Sequence, residues 1–288
     1  MLLLCLTWSM QQIALKATAH DIAPMLQIAL RSAGAALLVA ALMRVRGQRL
    51  DIAGPWRQGL LVGALFAGEF LLVSESLRFT SAAHLVVFLY TAPVFAALGL
   101  HWKLPAERLA AIQWVGIALA FCGIAVAFLG GAHLGTSSLH GDVLALLGGM
   151  AWGATTVVVR TTRLSALPAA QTLLYQLLGA SVLLLPASLV LGQTSFHPSP
   201  LAIAALVFQT VIVSFASFLA WFWLLRHYLA SRLGVLSFMT PVFGVVLGAW
   251  LLQEALRPEF LLGSLLILPG IILVSGYGWL QQRLTRLS

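Results

Sequence analysis

Ten runs of apolar residues, separated by short polar segments, dominate the hydrophobic pattern of this 288-residue chain. A helix needs roughly 20 apolar residues to cross the ~30 Å hydrocarbon core of a bilayer, and each run has about that length. The longest polar segment, residues 44–58, is too short to form a soluble domain. The pattern therefore predicts an all-α integral membrane protein, a single membrane domain of ten transmembrane helices. The predicted spans are residues 2–19, 23–43, 59–79, 81–101, 109–129, 141–159, 168–190, 201–224, 233–252 and 260–281.

The composition excludes a soluble protein and argues against an enzyme. Hydrophobic residues make up 61% of the chain and charged residues only 8%, whereas about a quarter of the residues of a soluble domain are charged. The two cysteines, Cys5 and Cys122, each lie inside an apolar run, and neither lysine follows a glycine as in a phosphate-binding loop. We therefore expect no catalytic residues, no metal and no cofactor.

Basic residues are distributed unequally between the two sides of the predicted bundle. The formal net charge is +8, but these residues lie at the ends of spans and not in one patch, which argues against a nucleic-acid partner. If the N-terminus is cytoplasmic, three basic residues lie outside, namely Lys16, Arg78 and Arg257. Twelve lie inside, namely Arg44, Arg46, Arg49, Arg57, Lys103, Arg108, Arg160, Arg163, Arg226, Arg232, Arg283 and Arg286. Because cytoplasmic loops are enriched in Lys and Arg, both termini are predicted to be cytoplasmic.

The opening segment MLLLCLTWSM has no basic region, so we interpret it as a membrane helix and not as a cleaved signal peptide.

The two halves of the chain resemble each other. A shift of 144 residues aligns Trp8 with Trp152, Lys16 with Arg160, Pro24 with Pro168 and Gln27 with Gln171, and shifts of 147–148 align later segments, including Pro93 with Pro241 and Glu107 with Glu254. Residues 1–130 and 141–288 then form two repeats of five spans each. Because five is odd, the second repeat enters the membrane from the opposite side, which predicts the inverted repeat found in many secondary transporters.

These paired residues resemble the drug/metabolite transporter superfamily in its ten-helix form with two EamA-type repeats. The resemblance covers essentially the whole chain and rests on residues of both halves: Trp8, Lys16, Pro24, Arg31, Trp152, Gly153, Arg160 and Pro168, with the Pro93 and Pro241 helices and the Glu107–Gly116–Gly123 and Glu254–Gly263–Gly270 segments. Two positions depart from the family pattern: Ser9 replaces a glycine, and Tyr175 is the repeat counterpart of Arg31. The resemblance implies export of small metabolites, including amino acids, through a central cavity, with the fifth and tenth helices peripheral. It also implies a bacterial inner membrane.

Ionisable residues inside the predicted spans are candidates for function, because charge is costly in a bilayer. Arg31 and Glu69 lie at comparable depths on consecutive spans, so these opposite charges can pair, directly or through water. In one interpretation Arg31 binds a carboxylate of the substrate, while Glu69 carries a proton or contacts an ammonium group. That interpretation predicts that Arg31→Ala abolishes transport and leaves the amount of folded protein unchanged. In the other, the two residues form a structural ion pair.

His84 begins the fourth span and is a second candidate for substrate contact or proton coupling, since a histidine side chain titrates near neutral pH. The alternative is a histidine that faces water at the outer interface. Glu75 lies close to the outer surface, three residues before Arg78 on the same helix face, and is interpreted as half of a solvated ion pair.

Aromatic and amide side chains complete the candidate binding site. Trp8 and Gln12 share one face of the first helix, as Gln27 and Arg31 share a face of the second. The full set of candidate substrate-binding residues is Trp8, Gln12, Gln27, Arg31, Glu69, His84, Tyr90, Trp152, Gln171 and Tyr175. Pro93 and Pro241 fall inside their spans and remove a hydrogen bond to the carbonyl four residues earlier, so they are candidate hinges.

The function predicted from the sequence is a secondary transporter that exports small metabolites, with proton exchange as a candidate coupling. A facilitator, an uptake carrier, a flippase for lipid-linked substrates and a membrane enzyme remain open as alternatives. The expected partners are the lipid bilayer, a small-molecule substrate and protons, and the chain is expected to be a monomer or a homodimer.

Overall fold

The computed structural model describes residues 1–48, 54–80, 82–129, 139–197, 199–251 and 258–287. These residues form an all-helical protein in which no strand occurs and a single β-bridge joins Ile22 to Phe196. The helices are α1 (Leu2–Ala17), α2 (Pro24–Val45), α3 (Trp56–Ser76), α4 (Ala82–Leu89), α5 (Ala92–Lys103), α6 (Ala111–Leu129), α7 (Leu139–Thr161), α8 (Ala169–Val190), α9 (Pro200–Phe208), α10 (Phe218–His227), α11 (Ala230–Leu236), α12 (Met239–Leu251) and α13 (Pro258–Leu287). A π-helical segment, Gln209–Ser217, joins α9 and α10.

Eight helical stretches in the described part of the chain are long and apolar enough to cross a bilayer. They are Pro24–Val45, Trp56–Ser76, Leu85–Lys103, Ala111–Leu129, Leu139–Thr161, Ala169–Val190, Pro200–His227 and Ala230–Leu247. The first helix, α1, has 16 residues, and α13 contains a shorter apolar stretch, Pro258–Val274. The prediction of an all-helical, multi-pass membrane protein is confirmed.

Two of the predicted continuous spans are broken in the structure. The helix that begins at Ala82 ends at Leu89 and resumes at Ala92, and the helix that begins at Ala230 ends at Leu236 and resumes at Met239. Each proline, Pro93 or Pro241, lies in the first turn of the second piece. The N–H groups of a first helical turn have no acceptor within the helix, so a proline there costs no helical hydrogen bond. The expected proline kinks are therefore short interruptions of the α-helical hydrogen bonding, two to four residues before each proline, where the backbone continues as right-handed turns.

The exposed backbone at each break is covered by small residues of another helix. At the second break, the Cys5 thiol of α1 donates to the carbonyl of Leu236 at 3.4 Å, and the Ser9 hydroxyl donates to the carbonyl of Thr240 at 2.7 Å. At the first break, Gly149 and Gly153 of α7 occupy the corresponding positions, 144 residues later in the chain. A Cβ atom built on Gly153 would lie 2.8 Å from the Ala92 carbonyl oxygen.

This difference gives a physical reason for the serine at position 9. Gly153 lets the backbone of α7 approach α5 closely, whereas Ser9 contacts α12 through a side-chain hydrogen bond. The equivalent helix contact is therefore made by close backbone packing in one half and by a hydrogen bond from a serine hydroxyl to a carbonyl in the other.

The helices pack as pairs that combine the two halves of the chain. Helix α2 packs against α8, α1 against α12, and α7 against α3 and α5. Helices α6 and α13 form an extensive contact with each other, in which Gly116 and Gly123 face Gly270 and Gly263. Small residues at these crossings allow the close helix packing that is typical of membrane bundles.

Candidate functional site

A cavity of about 170 Å³ lies in the interior of the helix bundle, between the two halves of the chain. Its walls are mostly aromatic and aliphatic, with several amides and hydroxyls. Residues of α1, α2, α3, α7, α8, α10 and α12, together with the break between α4 and α5, form these walls. An apolar enclosure with a few polar groups is the usual composition of a small-molecule site. The polar lining residues are Gln11, Gln12, Glu69, Thr155, Thr156, Gln176 and Thr240, and the aromatic ones are Trp8, Phe66, Phe70, Tyr90, Trp152, Phe218, Trp221 and Phe222.

Glu69 is the one charged side chain among the described residues that line this cavity. It lies on α3, thirteen residues beyond Trp56, which is about 20 Å along the helix at 1.5 Å per residue. The residue is half-buried, and no hydrogen bond or ion pair holds its carboxyl group in the described part of the chain. A carboxyl group that makes no hydrogen bond or close ion pair with the described residues is therefore available to a solute or a proton inside the bundle.

Arg31 lies behind the cavity wall and does not line the cavity. Its side chain is 1% exposed, and its Nη1 donates to Oε1 of Gln209 at 3.0 Å. The guanidinium also lies over the ring of Phe70, 5.3 Å from the ring centre, and Phe70 itself faces the cavity. Glu69 and Arg31 interact electrostatically, but they form no ion pair within 4.0 Å. The arginine is thus positioned by an amide and an aromatic ring, and a direct ion pair with Glu69 is not made.

The π-helical segment between α9 and α10 supplies two of the contacts near the cavity. Its first residue, Gln209, accepts the hydrogen bond from Arg31, and its last residue, Ser217, accepts one from Nε1 of Trp8 at 3.0 Å. A π-helical turn places one extra residue in a helical turn and is often found at functional sites. The segment has no separate signature in the hydrophobic pattern, so the sequence does not predict it.

Five of the candidate binding residues line the cavity: Trp8, Gln12, Glu69, Tyr90 and Trp152. Trp8 contacts another lining residue, Trp221, edge to face with 5.6 Å between ring centres, and Tyr90 contacts Trp152 in the same way, also at 5.6 Å. Edge-to-face contacts of this kind hold aromatic side chains in fixed orientations. The cavity walls are therefore built from mutually supported rings.

The other candidates lie elsewhere. The Gln27 amide donates to the Thr18 hydroxyl at 3.2 Å and is fully buried between α1 and α2. The Gln171 amide donates to the Tyr175 hydroxyl at 3.4 Å, and the Tyr175 ring packs against Gly59 where α8 meets α3. The side chain of His84 lies outside the described residues.

Several residues that line the cavity are not among the binding residues predicted from the sequence. Gln11 is three residues from Trp8 and Gln12 is four residues from it. Both spacings place a residue on the same helix face as Trp8, so the spacing favours Gln11 as well as Gln12. Gln176 directly follows Tyr175 in the chain and lines the cavity in its place. Thr155, Thr156 and Thr240 carry no charge, and their hydroxyls are common in membrane helices. Only the packing of helices distant in the chain brings these residues together.

A second cavity of about 180 Å³ lies next to the first, where α7, α8 and α10 meet. Arg160, Ser165, Thr172 and Arg226 contribute polar groups to it. Three apolar residues line both cavities: Val159, Phe222 and Leu225. All three are at most 5% exposed, so they form an apolar barrier between the two spaces.

A buried network of hydrogen bonds lies beside this barrier. Glu107, 1% exposed, accepts from Nη2 of Arg160 at 2.7 Å, from the backbone N–H of Ala230 at 2.8 Å and from the Ser231 hydroxyl at 2.9 Å. Nη1 of Arg160 also donates to the carbonyl of Leu225. The network ties the end of α5, the end of α7 and the start of α11 together, and it contacts one residue of the barrier.

Comparisons with known proteins agree with this architecture. The chain is 27% identical, over 100% of its length and 97% of the relative's, to the probable amino-acid metabolite efflux pump of Salmonella typhimurium. It is 24% identical to the uncharacterized inner membrane transporter YedA of Escherichia coli, over 94% of this chain and 88% of that one. It is 22% identical to the uncharacterized transporter YoaV of Bacillus subtilis, over 93% and 92%.

A crystal structure of a protein with 22% sequence identity superposes with a TM-score of 0.82, covering 98% of this chain and 96% of the other. At that identity it shows the fold. The family model described as EamA-like transporter family matches residues 1–129 and 139–276. These matches cover most of the chain, and they agree with the helical membrane fold. The chain therefore belongs to the EamA-like transporter family of the drug/metabolite transporter superfamily.

Proposed function

We propose that this protein is a secondary active transporter that exports small metabolites across the inner membrane by alternating access. The observation that supports this most strongly is the carboxyl group of Glu69, which faces a cavity between the halves of the chain and makes no hydrogen bond or close ion pair with the described residues. An intramembrane ionisable group that faces a cavity is typical of a transport site. Relatives named as amino-acid metabolite efflux pumps favour amino acids or related amphipathic solutes.

The proposed transporter has ten spans in two inverted repeats, residues 1–130 and 141–288, with both termini in the cytoplasm. The two separate family matches support the division of the chain into repeats. The helix contacts also occur in equivalent pairs: α1 packs on α12 as α7 packs on α5, and α6 packs on its counterpart α13. Two similar halves can exchange inward-open and outward-open shapes around a central site.

In this proposal the barrier of Val159, Phe222 and Leu225 closes the cytoplasmic side of the cavity. The network of Glu107 and Arg160 holds α5, α7 and α11 together beside that barrier. Opening toward the cytoplasm then requires the barrier to separate and this network to rearrange. The helix breaks before Pro93 and Pro241 lie in the elements that must move, which supports their assignment as hinges.

The experiment that tests the carrier function is counterflow in proteoliposomes of the purified protein. Vesicles are loaded with one unlabelled amino acid or small metabolite, and entry of the labelled solute is followed. We expect saturable uptake that an internal excess of the same solute accelerates. Flux that increases linearly with concentration would indicate a channel and contradict the proposal. Absence of flux for every metabolite would instead favour lipid-linked substrates.

Proton exchange is the proposed coupling, with Glu69 as the group that binds the proton and His84 as the second candidate. An imposed pH gradient across the same vesicles should drive net movement of the solute in the wild-type protein. Glu69→Gln should respond no more than empty vesicles do. If the wild-type flux is saturable but indifferent to the pH gradient, the protein is a facilitator.

A further inference from the structure

The charge distribution of the central cavity indicates which solutes it binds. We propose that the cavity selects solutes with a positively charged ammonium group attached to an apolar or aromatic body, and that Glu69 contacts the ammonium group. This inference rests on the proposed transport function and assigns the substrate class of the same site. It depends on three features: a carboxyl group that is the one charged group on the described cavity lining, the aromatic walls and the position of Arg31 outside the cavity.

The carboxyl group of Glu69 provides attraction for a cation inside the cavity, because Arg31, with which it interacts electrostatically, lies outside the cavity lining. Among the described lining residues no Lys, Arg or His accompanies Glu69. An ammonium group bound there replaces lost hydration with a charge-assisted hydrogen bond, which is roughly twice as strong as a neutral one. An anionic solute would bring two negative charges together in an apolar enclosure, where charges interact far more strongly than in water.

The aromatic walls favour the same charge. Indole, phenol and phenyl rings attract cations through their negative faces, with indole the strongest. Three tryptophans, Trp8, Trp152 and Trp221, line the cavity together with Tyr90. Trp8 is fixed by its hydrogen bond to Ser217 and its contact with Trp221. The apolar body of a solute can pack against these rings while its ammonium group contacts Glu69.

Arg31 is not positioned to bind the carboxylate of a solute. It is absent from the cavity lining, and its guanidinium is engaged by Gln209 and by the ring of Phe70. An amino acid therefore finds a partner for its ammonium group at Glu69, but neutral amides and hydroxyls for its carboxylate. Gln11, Gln12 and Gln176 provide those amides. The expected order of affinity is amine, then amino acid, then carboxylic acid.

Equilibrium binding of three probes with the same phenyl ring tests this order. Phenethylamine is a cation, phenylalanine a zwitterion and 3-phenylpropionate an anion at neutral pH. Titration calorimetry on the purified full-length protein should give phenethylamine at least tenfold higher affinity than 3-phenylpropionate, with phenylalanine between them. Glu69→Gln should remove most of this difference, and Glu69→Asp should retain it.

The control is Glu75→Gln, because Glu75 lies outside the cavity lining and is paired with Arg78 at 2.8 Å. It should bind all three probes as the wild-type protein does. Equal affinities for the three probes, tightest binding of 3-phenylpropionate, or an unchanged preference in Glu69→Gln would each overturn the proposal. So would counterflow of other metabolites with no binding of phenethylamine, although that result would leave the transport function intact. Absence of counterflow for every solute would contradict the transport function itself.

Discussion

At the scale of single residues, two charged side chains in neighbouring membrane helices have different surroundings. Glu69 faces a cavity and makes no hydrogen bond or close ion pair with the described residues, whereas Arg31 is enclosed and contacts Gln209 and Phe70. A group held in place by several contacts in a packed interior supports the fold, and a group left without such contacts in a cavity is free to bind. The two residues lie at comparable depths in the sequence pattern, but only Glu69 faces the cavity.

Arg31→Ala is expected to lower the stability of the folded protein. The substitution removes one of the largest fully buried side chains. It also leaves the side-chain amide oxygen of Gln209 without its hydrogen-bond donor. Truncation of a large buried side chain costs on the order of 2–5 kcal/mol. Thermal unfolding of the detergent-solubilised protein, followed by intrinsic fluorescence, measures the change.

Arg78→Ala is the matched control for this variant. Arg78 pairs with Glu75, but its side chain is 59% exposed, and exposed ion pairs contribute about 0–1 kcal/mol. If Arg31→Ala instead folds as well as wild type and loses only transport, then Arg31 acts directly on the solute.

At the scale of helices, the breaks in two of the spans position the cavity. Tyr90, in the break between α4 and α5, and Thr240, in the first turn of α12, both line it. The breaks are stable because small residues of α1 and α7 cover the backbone there. Unpaired backbone groups would otherwise be costly inside a membrane.

Gly153→Ser should destabilise the protein, even though the corresponding position of the first half is a serine. At Gly153 the added Cβ would lie 2.8 Å from the Ala92 oxygen and 2.8 Å from the Phe95 Cβ, so α7 and α5 must move apart. Overpacking of this kind costs roughly 1–3 kcal/mol. A lower unfolding temperature of the purified variant is the expected result.

Gly68→Ser serves as the control, because a Cβ at Gly68 meets no atom within 4 Å. It should unfold close to the wild-type temperature. Equal unfolding temperatures for the two variants would show that the contact between α7 and α5 tolerates a side chain, against our explanation of Ser9 and Gly153.

At the scale of the whole molecule, the lengths and order of the apolar runs were sufficient to predict a helical membrane protein. Runs of this kind depend on local composition, which the sequence displays directly. The partner of Arg31 is 178 residues away in the chain, and the widened turn that presents Gln209 has no apolar signature. Trp8 and Glu69 could be proposed as site residues because their residue type and position in a span suggest a role. Thr240 and Trp221 reach the cavity only through the packing of distant helices, which the sequence does not display.

The orientation of the chain is tested by reporter fusions at two loops. Green fluorescent protein placed after Thr162, between α7 and α8, should fluoresce, because that loop is predicted to be cytoplasmic. The same reporter after His197, between α8 and α9, should stay dark, while alkaline phosphatase placed there should be active. The reverse pattern would contradict the predicted positive-inside orientation.

The central claim is that the transported solute passes through the cavity at Glu69. The most direct test is efflux of labelled amino acids and amines from proteoliposomes that contain equal amounts of wild-type protein, Glu69→Gln or Glu75→Gln. Saturable efflux by wild type and Glu75→Gln, with at least a tenfold loss in folded Glu69→Gln, is the result we predict. Equal efflux by all three proteins would show that the transport site lies elsewhere in the molecule.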